Sequence, residues 1–334
     1  MARFSARRLL AGAAIIGALA LAFIWLVPSS NYLFVPNKAK PVADRVTVPG
    51  EKPHQGRGGI YYVDVTVRRA TWSERLLPFL RPEGATLVSG AAVVPQGSSF
   101  EERRRDGLAE MARSEQVAAA VALREAGYKV KATPTGALVE GVASDVPAAA
   151  VLKSGDVIVS VRGIPVRTPL GLKSVLRRAK PGETVALRLR RGGKPRDVTV
   201  RTVPSPADPA QAIIGIRVAQ SAKIELPVNV DINLGDVGGP SAGLPFALDV
   251  LQELGRDVDR GHRVVATGEI ALDGSVGPIG GVKQKVFGAR KAGADVFLVP
   301  AGDNAEEARR YAGNLRIVPV ESFQQALSVL RTLR

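Results

Sequence analysis

The stretch "DVGGPSAGLPFALDVLQEL", Asp236 to Leu254, sets one serine among three glycines and two prolines at the start of an apolar pattern. Leu244, Ala247, Leu248, Leu251 and Leu254 recur at helical spacing, and Gly255 ends the run. The pattern places Ser241 at a helix N-terminus, where N–H groups lack internal partners and the dipole is positive. Gly238 and Gly239 let another backbone approach closely. Such a place suits a developing oxyanion. Taken alone, the segment reads more simply as a capping serine after a glycine-rich turn.

A serine hydroxyl attacks a carbonyl only with help from a base. The chain holds 2 histidines and no cysteine, so disulfide, zinc-thiolate and thiol-nucleophile chemistry are excluded. His54 lies in a proline- and glycine-rich stretch, and His262 in the charged loop "GRDVDRGHR". Lysine is the remaining base, and it serves only where burial lowers its pKa. In "GSVGPIGGVKQKVFGARKAG" a helix is expected from about Val282, with Val282, Lys285, Val286 and Ala289 on one face. Lys283 points elsewhere. Two solvated lysines would be the ordinary reading of this segment, but if either amine is buried it is Lys285.

The 334 residues suffice for two modest domains plus appendages. A net charge of +15 raises nucleic acid as a partner, but the basic residues are dispersed and aromatics few, so none is expected. Residues 1–8 carry Arg3, Arg7 and Arg8, and an uncharged run follows from Leu9 to Val27. At roughly 20 apolar residues it matches a bilayer core, and the basic flank predicts a cytoplasmic N-terminus with the rest extracytoplasmic. A transmembrane anchor is therefore expected over 9–28, followed by a proline-rich tether over 29–58. Residues 59–127 open with an alternating strand around Tyr61, Val63 and Val65. They close with a long helix in which Ser98 or Ser99 and Glu101 or Glu102 have capping-box spacing and Gly127 the stop. This segment is expected to pack on a later one.

From Tyr128 the texture changes to short strands and turns. Thr168 and Pro169 open a short helix, and Gly192-Gly193 turns a hairpin in which Arg188 and Arg190 line one face of a solvated edge strand. "SDVPAA" at 144–149, "LKSGDVIVSV" at 152–161 and Gly163 to Val166 resemble a PDZ domain of the bacterial protease-associated type, expected over 128–204. The resemblance implies a groove that takes a peptide as an added strand. By position it lies between Gly136, Ala137, Leu138 and Val139 and the helix carrying Leu172, Val175 and Leu176.

"GPSAG" at 239–243, "TGEI" at 267–270 and "GPIGGVKQK" at 277–285 resemble, in order and separation, the Lon-type protease domain, with a mixed α+β fold expected over 205–334. The resemblance implies a serine–lysine dyad, with Ser241 as nucleophile and Lys285 as base. It gives Thr267 an orienting role, and Gly239, Pro240 and Ala242 shape the turn. The layout is similar to membrane-anchored PDZ–Lon-type serine peptidases, which implies protein or peptide substrates, hexameric rings, and no cofactor or metal. No G-x-x-x-x-G-K-[ST] sequence occurs, so ATP-independent cleavage is expected. The rival expectation is a non-catalytic membrane adaptor that binds peptides through its PDZ domain. Residues 59–127 are expected to complete the protease fold, making the PDZ domain an insertion. Gly238 stands where many ATP-driven Lon enzymes carry an acid.

Overall fold

The computed structural model describes residues 6–49, 58–94, 99–206 and 208–333, without the side chains of residues 6–10, 20 and 21. Helix α1 spans Ala6–Leu26 and leaves Ile15, Ile16, Leu19, Phe23, Trp25 and Leu26 exposed. Counting only described residues, no helix is long and apolar enough to cross a membrane.

The expected tether is instead structured over residues 28–49. Strand β1, Pro28–Pro36, has its prolines at its two ends, where a missing N–H costs the ladder least. Strand β2 is Lys40–Pro41, and Leu33 and Val42 are fully buried beside Val46 and Val48. These apolar residues follow no regular period, which is why the stretch reads as linker. His54 and Pro53 lie outside the described residues. The single strand expected around Tyr61–Thr66 divides into β3, Gly59–Tyr62, and β4, Val65–Thr71, which join different sheets. β1 lies between β4 and β5, Thr86–Val88, in an antiparallel sheet.

Helix α2, Phe100–Glu125, starts at Ser99, whose hydroxyl accepts from Glu102 N while the Glu102 carboxylate accepts from Ser99 N. Ser98 lies outside the described residues. Met111, Ala118, Ala119 and Ala122 on its buried face join one core with the helix that follows Ser241. Small side chains let the two helices approach closely.

The PDZ-like unit begins after Gly127. Its strands are β6, Lys131–Val142, β7, Val157–Val161, β8, Thr184–Arg191, and β9, Lys194–Arg201, with helix α3, Pro169–Leu176, capped by Thr168. The Gly192-Gly193 turn has φ of 55° and 79°, which glycine adopts without strain. The sheet takes in a further strand beyond residue 204. Strand β10, Ile216–Glu225, pairs along the whole of β6, and the sheet order is β9–β8–β7–β6–β10. β8 is therefore an interior strand, not an edge, and Arg188 is held by Asp197 across the hairpin.

Helix α4, Gly243–Glu253, is buried along its entire length, with Leu244, Phe246, Leu248 and Leu251 in the core shared with α2. Strand β11, Arg263–Ala266, leads to the short hairpin of β12, Glu269–Ile270, and β13, Val276–Gly277. Helix α5, Val282–Lys291, strand β14, Val296–Pro300, helix α6, Asp303–Tyr311, strand β15, Arg316–Val320, and helix α7, Phe323–Arg331, complete the chain. The main sheet has the order β2–β3–β11–β14–β15, with β3, β11, β14 and β15 parallel. β3 comes from the segment before the PDZ-like unit, so that unit interrupts the α/β domain.

Candidate active site

Helix α4 does not begin at Ser241. Gly239, at φ 93°, enters a 3-10 turn over Pro240–Ala242, and the α-helix starts at Gly243 with Ala242 as an N-cap that has no side-chain bond. The capping role is thus excluded for Ser241, whose hydroxyl makes no hydrogen bond among the described residues. The turn is fixed from outside: Gly239 N donates to Gly107 O and Ser114 Oγ to Pro240 O, both from α2. Gly243 packs so tightly that an added Cβ would stand 2.9 Å from Ile270 Cγ2 and 3.0 Å from Ile270 N. Ser241 lies in the first turn of this 3-10 segment, where its N–H has no partner from the turn itself and stands as a donor beside the hydroxyl.

Lys285 lies on α5 with only 4% of its surface exposed, and Val282, Val286 and Ala289 are buried with it, as the helical face requires. Lys283 is half-buried and sits 5.5 Å from the centre of the Tyr311 ring. Burial pushes the Lys285 amine down to about 7, because the charged form loses its hydration. Its Nζ donates to Thr267 Oγ1 at 3.1 Å, and Thr267 Oγ1 donates to the Ser241 carbonyl at 3.1 Å. Gly268 N donates to the same carbonyl at 2.8 Å, and Leu244 N to Gly268 O. Thr267, 1% exposed, therefore joins the lysine to the serine's own peptide group. The described hydrogen bonds include none directly between Ser241 Oγ and Lys285 Nζ.

Sequence reasoning did not single out Asp64. It follows β3, Lys40 Nζ lies 3.4 Å from its Oδ2, and its Oδ1 is buried with no hydrogen-bond partner. Its negative charge opposes the burial effect on Lys285 and raises that amine's pKa. Asp64→Asn should accordingly move the amine further below its present value. In a pH–rate profile the acid limb should shift to lower pH, and an unmoved limb would remove Asp64 from the site. Alternation predicted one continuous strand here, whereas Asp64 lies in the break between β3 and β4.

The expected PDZ groove is not available where the spacing put it. Leu138 and Ala137 pair with β7 on one side and with Ala219 and Gln220 of β10 on the other, so β6 has no open edge there. Ala137, Val139, Leu172, Val175 and Leu176 are buried in the unit's own core, and an added Cβ at Gly136 would meet Ile158 O at 2.7 Å. On this side the edge strand of the sheet is β10, and β9 is the edge strand on the other.

Residues 99–202 match the PDZ domain family model, and residues 219–332 match the model of the Lon protease (S16) C-terminal proteolytic domain. The first match begins on α2, whose buried face belongs to the other core. The Lon protease 2 of Herpetosiphon aurantiacus is 33% identical over 120 residues, 35% of this chain and 14% of that protein. The Lon protease 2 of Bacillus subtilis is 32% identical over 106 residues, 30% of this chain and 19% of that protein. The chain thus spans under a fifth of the length of these relatives. The crystal structure of the PDZ domain of an SdrC-like protein from Listeria monocytogenes is 28% identical, covering 26% of this chain and 92% of that one, with a TM-score of 0.25. The chain combines a PDZ domain with a Lon-type proteolytic domain of the serine peptidases.

Proposed function

We propose that the chain is a serine endopeptidase in which Ser241 attacks the scissile carbonyl and Lys285 is the general base. The observation that carries this reading is the buried, near-neutral amine of Lys285 bonded to Thr267, which is bonded in turn to the serine's carbonyl. A neutral amine in a dry site accepts the hydroxyl proton and returns it to the leaving amine. The N–H of Ser241 would help hold the oxyanion, and Thr267 would keep the lysine in place. Substrates are unfolded protein segments or peptides recruited by the PDZ domain. These residues contain no phosphate-loop sequence, so any ATP-driven unfolding must be supplied from outside them.

We also propose a single-pass membrane anchor over Leu9–Val27 with the catalytic unit extracytoplasmic. Its support is the uncharged run, the basic flank of Arg3, Arg7 and Arg8, and the exposed apolar side chains of α1. Labelling with a fluorophosphonate or peptide boronate tests the enzyme. Wild type should be modified at Ser241 and Ser241→Ala should not, whereas equal labelling, or none in either, favours the peptide-binding adaptor.

A further inference from the structure

Between the PDZ unit and the β12–β13 hairpin lies a cleft of about 550 Å³. Val218, Ala219, Gln220 and Ala222 of β10 line one wall, and Glu269 and Pro278 stand on the other. Successive residues of a strand point to opposite faces, so a cleft that touches Val218, Ala219 and Gln220 in turn reaches the strand's edge. Among the described residues that edge is unpaired, because β6 is the one strand beside β10 in the sheet. An unpaired strand edge offers a row of N–H and C=O groups to an extended chain. The alanines leave room beside it.

The charged side chains that line the cleft other than Glu269 each have a polar partner. Arg217 Nε lies 3.7 Å from Glu140 Oε2, Arg124 Nη1 donates to Leu272 O, and Asp273 accepts from Ser275 N and Oγ. The Glu269 side chain makes no hydrogen bond or ion pair among those described. It follows Gly268, whose N–H holds the Ser241 carbonyl, so its place in the chain ties the cleft to the catalytic turn.

We propose that this cleft binds an extended substrate segment as a strand on the open edge of β10, with a lysine or arginine of that segment paired to Glu269. The inference rests on the chain being a peptidase and names the class of segment it takes. Burial, with Glu140 of β6 and Glu110 of α2 adding and Arg217 of β10 and Arg113 of α2 opposing, pushes the Glu269 carboxyl up to about 7. The carboxylate is charged above that value, so the preference for a basic residue is present at higher pH and fades as pH falls through it.

The test reads binding in full-length Ser241→Ala protein, so it stands apart from the assignment of the nucleophile. Anisotropy would be measured with a labelled unstructured peptide carrying one lysine, and with the same peptide carrying norleucine or glutamate there. The lysine peptide should bind about tenfold tighter than the norleucine one. Glu269→Gln should erase the difference, and Glu269→Lys should favour the glutamate peptide. Ala222→Trp, which fills the cleft, should weaken all three. Equal affinities in the Ser241→Ala protein, or discrimination that survives both Glu269 changes, would overturn the proposal. So would an Ala222→Trp protein that changes only its sedimentation, since the cleft would then belong to a second copy of this chain.

Discussion

Lys285→Met should lower peptide-bond cleavage by roughly 10⁴-fold or more, the scale of losing a base that acts as a unit with its nucleophile. Lys283→Met should retain most activity, because that side chain lies over the Tyr311 ring and makes no contact with Thr267 or Ser241 among those the structure describes. The two lysines differ by two positions in sequence and by burial in space. Methionine matches the lysine stem in length and has no charge to desolvate, so the variant should fold. Its stability profile supplies an independent reading. In the unfolded chain the Lys285 amine keeps its proton up to about 10.5, whereas in the folded protein it gives the proton up near 7. The unfolded state binds more protons between those values, so wild-type stability should gain from this group as pH rises through that window. The methionine variant should lack that gain and be the more stable protein below pH 7. Turnover close to wild type in Lys285→Met would remove the base assignment, whatever the stability profile showed.

Gly288→Ala should destabilise the protein by about 1–3 kcal/mol or more and reduce activity with it. On α5, one turn beyond Lys285, Gly288 presses directly on the strand segment after β1. A Cβ there would collide with Asn37 O and stand 2.6 Å from Val63 Cγ2, and Gly288 O accepts from Ala39 N. Backbone on one side and a β-branched side chain on the other leave nothing flexible to yield. The helix would have to move away, taking Lys285 out of reach of Thr267. Urea titration should show a lower midpoint with little change in slope; an unchanged midpoint would mean that the packing of α5 on this segment is looser than the contacts imply.

The devices that act locally were legible in the sequence. Ser99 with Glu102, Thr168 before Pro169 and the Gly192-Gly193 turn each work within a few residues, and each forms where its pattern predicts. The buried face of α5 was legible for the same reason, since helical spacing alone puts Lys285 with Val282 and Val286. What depends on distant partners was not. Residues 28–49 read as linker because Leu33 and Val42 find their packing in strands far along the chain. The open edge of the PDZ sheet was misplaced because chain order and sheet order differ: β10 arrives last and lies beside β6, which came first. Asp64 faces inward only because the chain leaves one sheet and enters another around it, a break that alternation cannot express.

The register of β6 and β10 sets Lys131 opposite Glu225, so the chain leaves the α/β domain and returns to it through adjacent residues. An element whose two ends meet can be gained or lost while the rest of the polypeptide keeps its course. Excision between those positions needs only a short hairpin to close the gap, and a foreign module whose termini lie equally near one another can take the vacancy. Such an exchange would replace the β10 wall of the cleft and leave Glu269 and the catalytic turn in place.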